Sequence, residues 1–170
     1  MTVRDSQRAK VYDAEQLVRG AFDRADEFGH RTVEVYGSQI TLPVERRFAS
    51  VESVQSYCDR VLALNWVVAQ WVRASSPLRV RERAGTTAAH YEADGGVLAV
   101  PLHTGGTAWA LRELVVLHEL THHLEPRPRE HAPHGPEFCS RYVELVDGVI
   151  GPEAALLLRG TMTGCGVGFG

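Results

Sequence analysis

Val116-Leu117-His118-Glu119-Leu120-Thr121-His122-His123-Leu124 holds the pattern H-E-x-x-H inside an apolar run. On a helix, residues four apart stack on one face, so His118 and His122 point the same way and can share one ion. Glu119 lies one step round the helix. It cannot bind the same ion end-on beside both histidines, but its carboxylate can reach water held in the ion's open position. That is the arrangement of a zinc hydrolase, in which imidazoles hold Zn2+ and a carboxylate takes the water's proton. The pattern requires a helix, and residues 108–117 read as one. Ala110, Leu111, Leu114, Val115 and Leu117 are apolar among good helix formers, with Thr107 as the N-cap.

A zinc site of this kind needs a third protein ligand. Twelve residues after His122 comes His134, in His134-Gly135-Pro136-Glu137-Phe138. It follows the break at Pro126 and Pro128 and precedes a second helix, so it is placed to fold back. His123, Glu125, Glu130 and His131 compete for the role. His123 turns to a different helix face, and Glu125 is too near in sequence to fold back easily. Glu130 and His131 sit in the loop and could reach. For stabilising developing oxyanion charge, His103, His131 and Tyr142 are candidates.

The rest of the composition is that of a soluble globular chain. Its 170 residues are 44% hydrophobic and 23% charged, with a net charge of -3. No global basic field draws it to nucleic acid or an acidic membrane. Lys10 is the only lysine among 18 basic residues, and with the abundant Ala, Val and Gly this reads as GC-rich bacterial coding. The first sixteen residues lack the apolar core of a secretory signal, and no run approaches a membrane span. Cys58, Cys139 and Cys165 are scattered and form no C-x-x-C pair, which fits reduced thiols and a cytoplasmic location.

Taken in order, residues 1–10 read as loose. An amphipathic helix over 11–28 carries Val11, Ala14, Leu17, Val18, Ala21, Phe22, Ala25 and Phe28 inward and stops at Gly29. A strand over 32–36 and a partner over 39–42 flank the turn Gly37-Ser38. Ser50 caps a second helix, and residues 65–72 extend it or form a short piece after it, with Trp66 and Trp71 in the core. Strands over 78–83, 87–93 and 97–102, separated by Ala84-Gly85 and Asp94-Gly95-Gly96, lead into the H-E-x-x-H helix. Pro136 opens a third long helix, and Pro152 a short one to Arg159. Residues 1–159 form one domain, and 160–170, with five glycines, a flexible tail.

The order of these elements, with Ala84-Gly85, Tyr91-Glu92, Gly95-Gly96, the H-E-x-x-H helix and then His134-Gly135-Pro136-Glu137-Phe138-Cys139, resembles the SprT-like metallopeptidases. That family includes the Spartan proteases, which cut proteins crosslinked to DNA. The match spans roughly residues 78–147. The chain is also similar to small actinobacterial metallohydrolases that share this core. The resemblance implies an α+β, zincin-like fold, with a small, mostly antiparallel sheet packed against the active-site helix. It implies His118, His122 and His134 as zinc ligands and Glu119 as general base. It also implies that the strand over 97–102 lies at a sheet edge where an extended peptide can pair. The 170 residues hold no basic zinc ribbon or tail of the kind that binds DNA in such proteins, so DNA association rests on resemblance and not on charge.

The expectation is therefore a zinc metallopeptidase acting on a peptide or protein through a zinc-bound water, with Glu119 as base. The alternative is a non-catalytic module that zinc stabilises and that binds protein or nucleic acid. The run Arg79-Val80-Arg81-Glu82-Arg83 is its best basic patch.

Overall fold

The computed structural model describes residues 3–84, 88–101 and 111–170. Among them it is a mixed α+β protein with six α-helices and two small sheets. The residues cluster into two compact units, Met1–Glu45 with Arg127–Gly170, and Arg46–Pro126.

The first unit is built on the helices α1 (Arg8–Phe28), α5 (Pro136–Val149) and α6 (Pro152–Gly164), with a hairpin of β1 (Thr32–Val35) and β2 (Ser38–Thr41). Val11, Ala14, Val18, Ala21, Phe22 and Ala25 recur at helical spacing along α1 and are buried. Leu17 and Phe28, expected on the same stripe, are exposed. They sit about 70–90° round from the stripe's centre on one flank, whereas Glu15, about 70° round on the other flank, is buried. Gly29 ends the helix in the left-handed conformation. The hairpin turns through Tyr36 and Gly37, both at positive φ, as a two-residue turn that matches strand twist requires.

Helix α6 packs on α5 and α1 and runs past Arg159 to Gly164. Residues 160–164, expected within a flexible Gly-rich tail, are thus helical. Glycine at 160 has a packing reason, because a Cβ there would stand 2.9 Å from Val35 Cγ1. Beyond the helix, the Gly168 amide donates to Gln7 Oε1 at 2.6 Å and the Gly170 amide to the Pro136 carbonyl at 3.1 Å.

The second unit holds α2 (Val51–Leu62), α3 (Asn65–Gln70), a 3-10 turn (Val72–Ser75), the strands β3 (Arg79–Glu82), β4 (His90–Glu92) and β5 (Val97–Val100), and α4 (Glu113–His123). Ser50 caps α2 in a reciprocal box with Ser53, an arrangement worth about 1 kcal/mol. Trp71 is buried, with Trp66 half-buried against it at 5.7 Å between ring centroids.

The three-stranded sheet has the order β3-β5-β4, with β3 parallel and β4 antiparallel to β5. This corrects one expectation. The strand over 97–102 is central and not at the edge, for β5 has a neighbour on each side. Val97, Leu98, Ala99 and Val100 are all buried, the continuous apolar run of a strand covered on both faces. On the far side of β3, the Gln55 amide accepts from the Val80 N–H at 2.7 Å and donates to the Leu78 carbonyl at 3.1 Å. A helix side chain thus occupies backbone groups that an edge strand would leave open. β3 and β4 are the two edges of this sheet, and among the described residues neither has a strand beyond it.

Helix α4 starts at Glu113, later than the helical run over 108–117 suggests. Arg112 is extended and bridges to Arg47, the Phe48 amide donates to the Leu111 carbonyl, and the Glu113 amide donates to the Arg46 carbonyl. Strand-like pairing claims these backbone groups and sets the helix start. Thr107, Leu102, His103 and residues 85–87 and 108–110 lie outside the described residues. No described helix is long and apolar enough to cross a membrane.

Candidate metal centre

Helix α4 carries His118 and His122 one turn apart, as the four-residue spacing predicts, with Glu119 beside His118. The helix is buried almost all round. His118 and Glu119 are 3% and 7% exposed, and His122 is half-buried. The Nε2 atoms of His118 and His122 stand 3.2 Å apart. Two nitrogen ligands on one tetrahedral zinc lie about 3.3 Å apart, so the pair already has the spacing of a shared ion.

His134 supplies the third imidazole. It sits one residue before the Gly135 N-cap of α5, is 5% exposed, and is held by its own surroundings. Its Nδ1 is 2.7 Å from Asp5 Oδ2, and its backbone N–H donates to Asp5 Oδ1 at 3.1 Å. Gln7 donates to its carbonyl at 3.3 Å. The rings of Tyr12 and Phe138 lie against it, each with its centroid 5.1 Å away. The ligand nitrogens of His118, His122 and His134 all fall within 4.8 Å of one another. This group could hold a metal ion. Three imidazoles are a donor set that suits zinc and other divalent transition metals.

The competing ligands are accounted for differently. His123 is fully buried and faces the sheet, with the Tyr91 hydroxyl 3.0 Å from Nδ1 and the Ser76 carbonyl 3.2 Å from Nε2. A carbonyl only accepts, so Nε2 carries the hydrogen and Nδ1 accepts from Tyr91. Burial pushes its pKa down, which favours this neutral ring. His131 is half-buried in the loop after α4, and Glu130 is exposed with its carboxylate 3.3 Å from Arg127. Glu125 is buried but does not belong to the three-histidine group. Tyr142 is buried in α5, where desolvation raises its pKa well above the ordinary value.

Asp5, Gln7 and Tyr12 are the residues that the sequence does not point to. Asp5 stands 129 positions from His134 in a segment expected to be loose, and no local pattern connects the two. Cys139 is inert: burial first, then nearby carboxylates, push its thiol up to about 12. In the Arg-rich run, Arg81 is ion-paired with Glu92 of β4 and Arg83 donates to the Ala88 carbonyl at 2.9 Å. These contacts hold the guanidinium groups against the sheet.

Comparison with family models, curated proteins and solved structures returned no match to this chain.

Proposed function

We propose that this protein is a zinc-dependent hydrolase of zincin-like fold that cleaves peptide bonds, with His118, His122 and His134 as ligands and Glu119 as general base. The observation that carries the reading is the 3.2 Å approach of two Nε2 atoms on a helix with the H-E-x-x-H pattern. Three neutral imidazoles would leave the ion's charge uncompensated and, among the described residues, would form a three-ligand set of the kind that catalytic zinc sites use, whereas a structural site usually closes with a fourth ligand. When bound, zinc supplies a Lewis acid beside the scissile carbonyl.

The chain's own residues do the rest. Glu119, next to His118 in sequence and nearly enclosed, accepts the proton from the attacking water. The new C–O bond forms as the peptide C–N bond breaks, and Glu119 returns that proton to the departing amine. Of the two sheet edges, β4 is the one an extended peptide would join by main-chain hydrogen bonds, since it packs against α4 while Gln55 engages the backbone along β3. The substrate is thus a peptide or an unfolded protein segment, and the SprT-like likeness of residues 78–147 agrees with it. A net charge of -3 and the pairing of Arg81 with Glu92 lend no support to DNA as a partner.

The test is zinc content per chain together with cleavage of an unstructured protein, read as new termini by mass spectrometry. About one zinc per chain and metal-dependent new termini are expected. Bound zinc with no cleavage of any peptide library would favour a non-catalytic zinc-stabilised module.

A further inference from the structure

We infer that Asp5 is a positioning residue of the metal centre, fixing the ring of His134 so that Nε2 faces the ion. The inference rests on the three-histidine reading above. A carboxylate accepts and does not donate, so the 2.7 Å contact requires the hydrogen on His134 Nδ1. That tautomer leaves the lone pair on Nε2, the same atom by which His118 and His122 approach each other.

The contact is a two-point grip, because the second carboxylate oxygen takes the backbone N–H of the same residue at 3.1 Å. Ring and backbone are therefore fixed together. The Asp5 side chain is 21% exposed and that of His134 7%, so solvent weakens the bond little. The grip is itself supported. Gln7, two residues on, donates to the His134 carbonyl and exchanges two hydrogen bonds with Gly168, at 2.6 and 3.2 Å. Tyr12 and Phe138 limit ring rotation from the sides. Carboxylates that hold a ligating histidine in this way raise its basicity and set its orientation, and losing one costs about 10–100-fold in metal affinity.

The experiment uses the full chain, stripped of metal and titrated with Zn2+ against a chromophoric chelator, in the parent, Asp5→Asn and His134→Ala. Asparagine can still accept from the His134 backbone, but it sets an N–H2 group against Nδ1 and drives the hydrogen to Nε2. We expect Asp5→Asn to bind zinc about 10–100-fold more weakly, with the melting temperature of the metal-free protein unchanged. Nitrogen-15 NMR of the metal-free parent should find His134 in the Nδ1–H tautomer. Parent affinity in Asp5→Asn, with zinc lost in His134→Ala, would overturn the role of Asp5 and leave the metal centre standing. A parallel fall in metal-free melting temperature, or an Nε2–H tautomer in the parent, would also overturn it. Parent affinity in His134→Ala would remove the three-histidine reading itself.

Discussion

Tyr57 of α2 donates its hydroxyl to Glu113, the first residue of α4, over 2.6 Å in a buried setting. The carboxylate also accepts from the Arg46 guanidinium at 3.0 Å, and Arg46 is itself exposed. Glu113 thus sits buried at a helix N-terminus, where a negative charge is favoured, with a phenol and a guanidinium to satisfy it. This cluster holds the start of the helix that carries the candidate site.

Tyr57→Phe is expected to lower stability by about 1–3 kcal/mol, because it leaves the buried carboxylate short of a donor. Urea unfolding checks this. The same pair makes stability depend on alkali. Burial, then the charge of Glu113, raises the Tyr57 pKa above its ordinary value of about 10. A group whose folded pKa is raised holds its proton more tightly in the folded state. Its contribution is complete below about pH 10 and declines as pH rises beyond that. Tyr142 adds a second contribution of the same sign. The fall in stability above pH 10 should be shallower in Tyr57→Phe than in the parent, and an unchanged slope would refute the assignment.

Zinc binding should stabilise the fold by mass action, by about 2.7 kcal/mol at a free concentration a hundredfold above the dissociation constant. His134→Ala should lose most of that gain and His131→Ala almost none, since only His134 belongs to the three-histidine group. Calorimetry with and without zinc gives the ranking, and the reverse order would move the third ligand into the loop.

Glu119→Gln is expected to keep the zinc content and reduce peptide cleavage by about 10^2–10^4-fold, the usual worth of a general base. The three imidazoles are untouched by the change. Full activity in this variant would eliminate Glu119 as the base.

Gly96→Ala should be among the most damaging small substitutions. Gly96 has φ +64, and a Cβ there would meet the Pro77 carbonyl oxygen at 2.5 Å. The strain and the clash together should cost about 2 kcal/mol or more, read as a lower denaturation midpoint. A midpoint equal to the parent's would mean that the 77–96 approach relaxes freely.

What the chain discloses about itself follows the range of each signal. Helices α1, α2 and α5 are legible because their apolar spacing, Ser50 and Pro136 act within a few residues. The burial of Val97, Leu98, Ala99 and Val100 also has a sequence trace, since an unbroken apolar run marks a central strand, yet likeness to a peptidase core points to an edge instead. The start of α4 is hidden because helix propensity at Leu111 and Arg112 yields to pairing with residues 46–48. His118, His122 and His134 stand out through their spacing, whereas Asp5 does not, because a single aspartate 129 residues away carries no local mark.

The unit that holds α1 is discontinuous in sequence, and its partner helix α6 belongs to the returning segment. During synthesis, α1 emerges on the order of ten seconds before α6 at ordinary elongation rates. Over that interval the stripe of Val11, Val18 and Phe22 has no α6 to cover it. The segment Arg46–Pro126 is continuous and can organise as it appears. Nascent chains stalled before residue 152 should therefore show α1 open to protease or bound by a chaperone while residues 46–126 are already protected. Equal protection of both would mean that α1 finds shelter without α6. The surroundings of His134, where Gln7 meets Gly168, can close only after the segment beyond α6 has emerged.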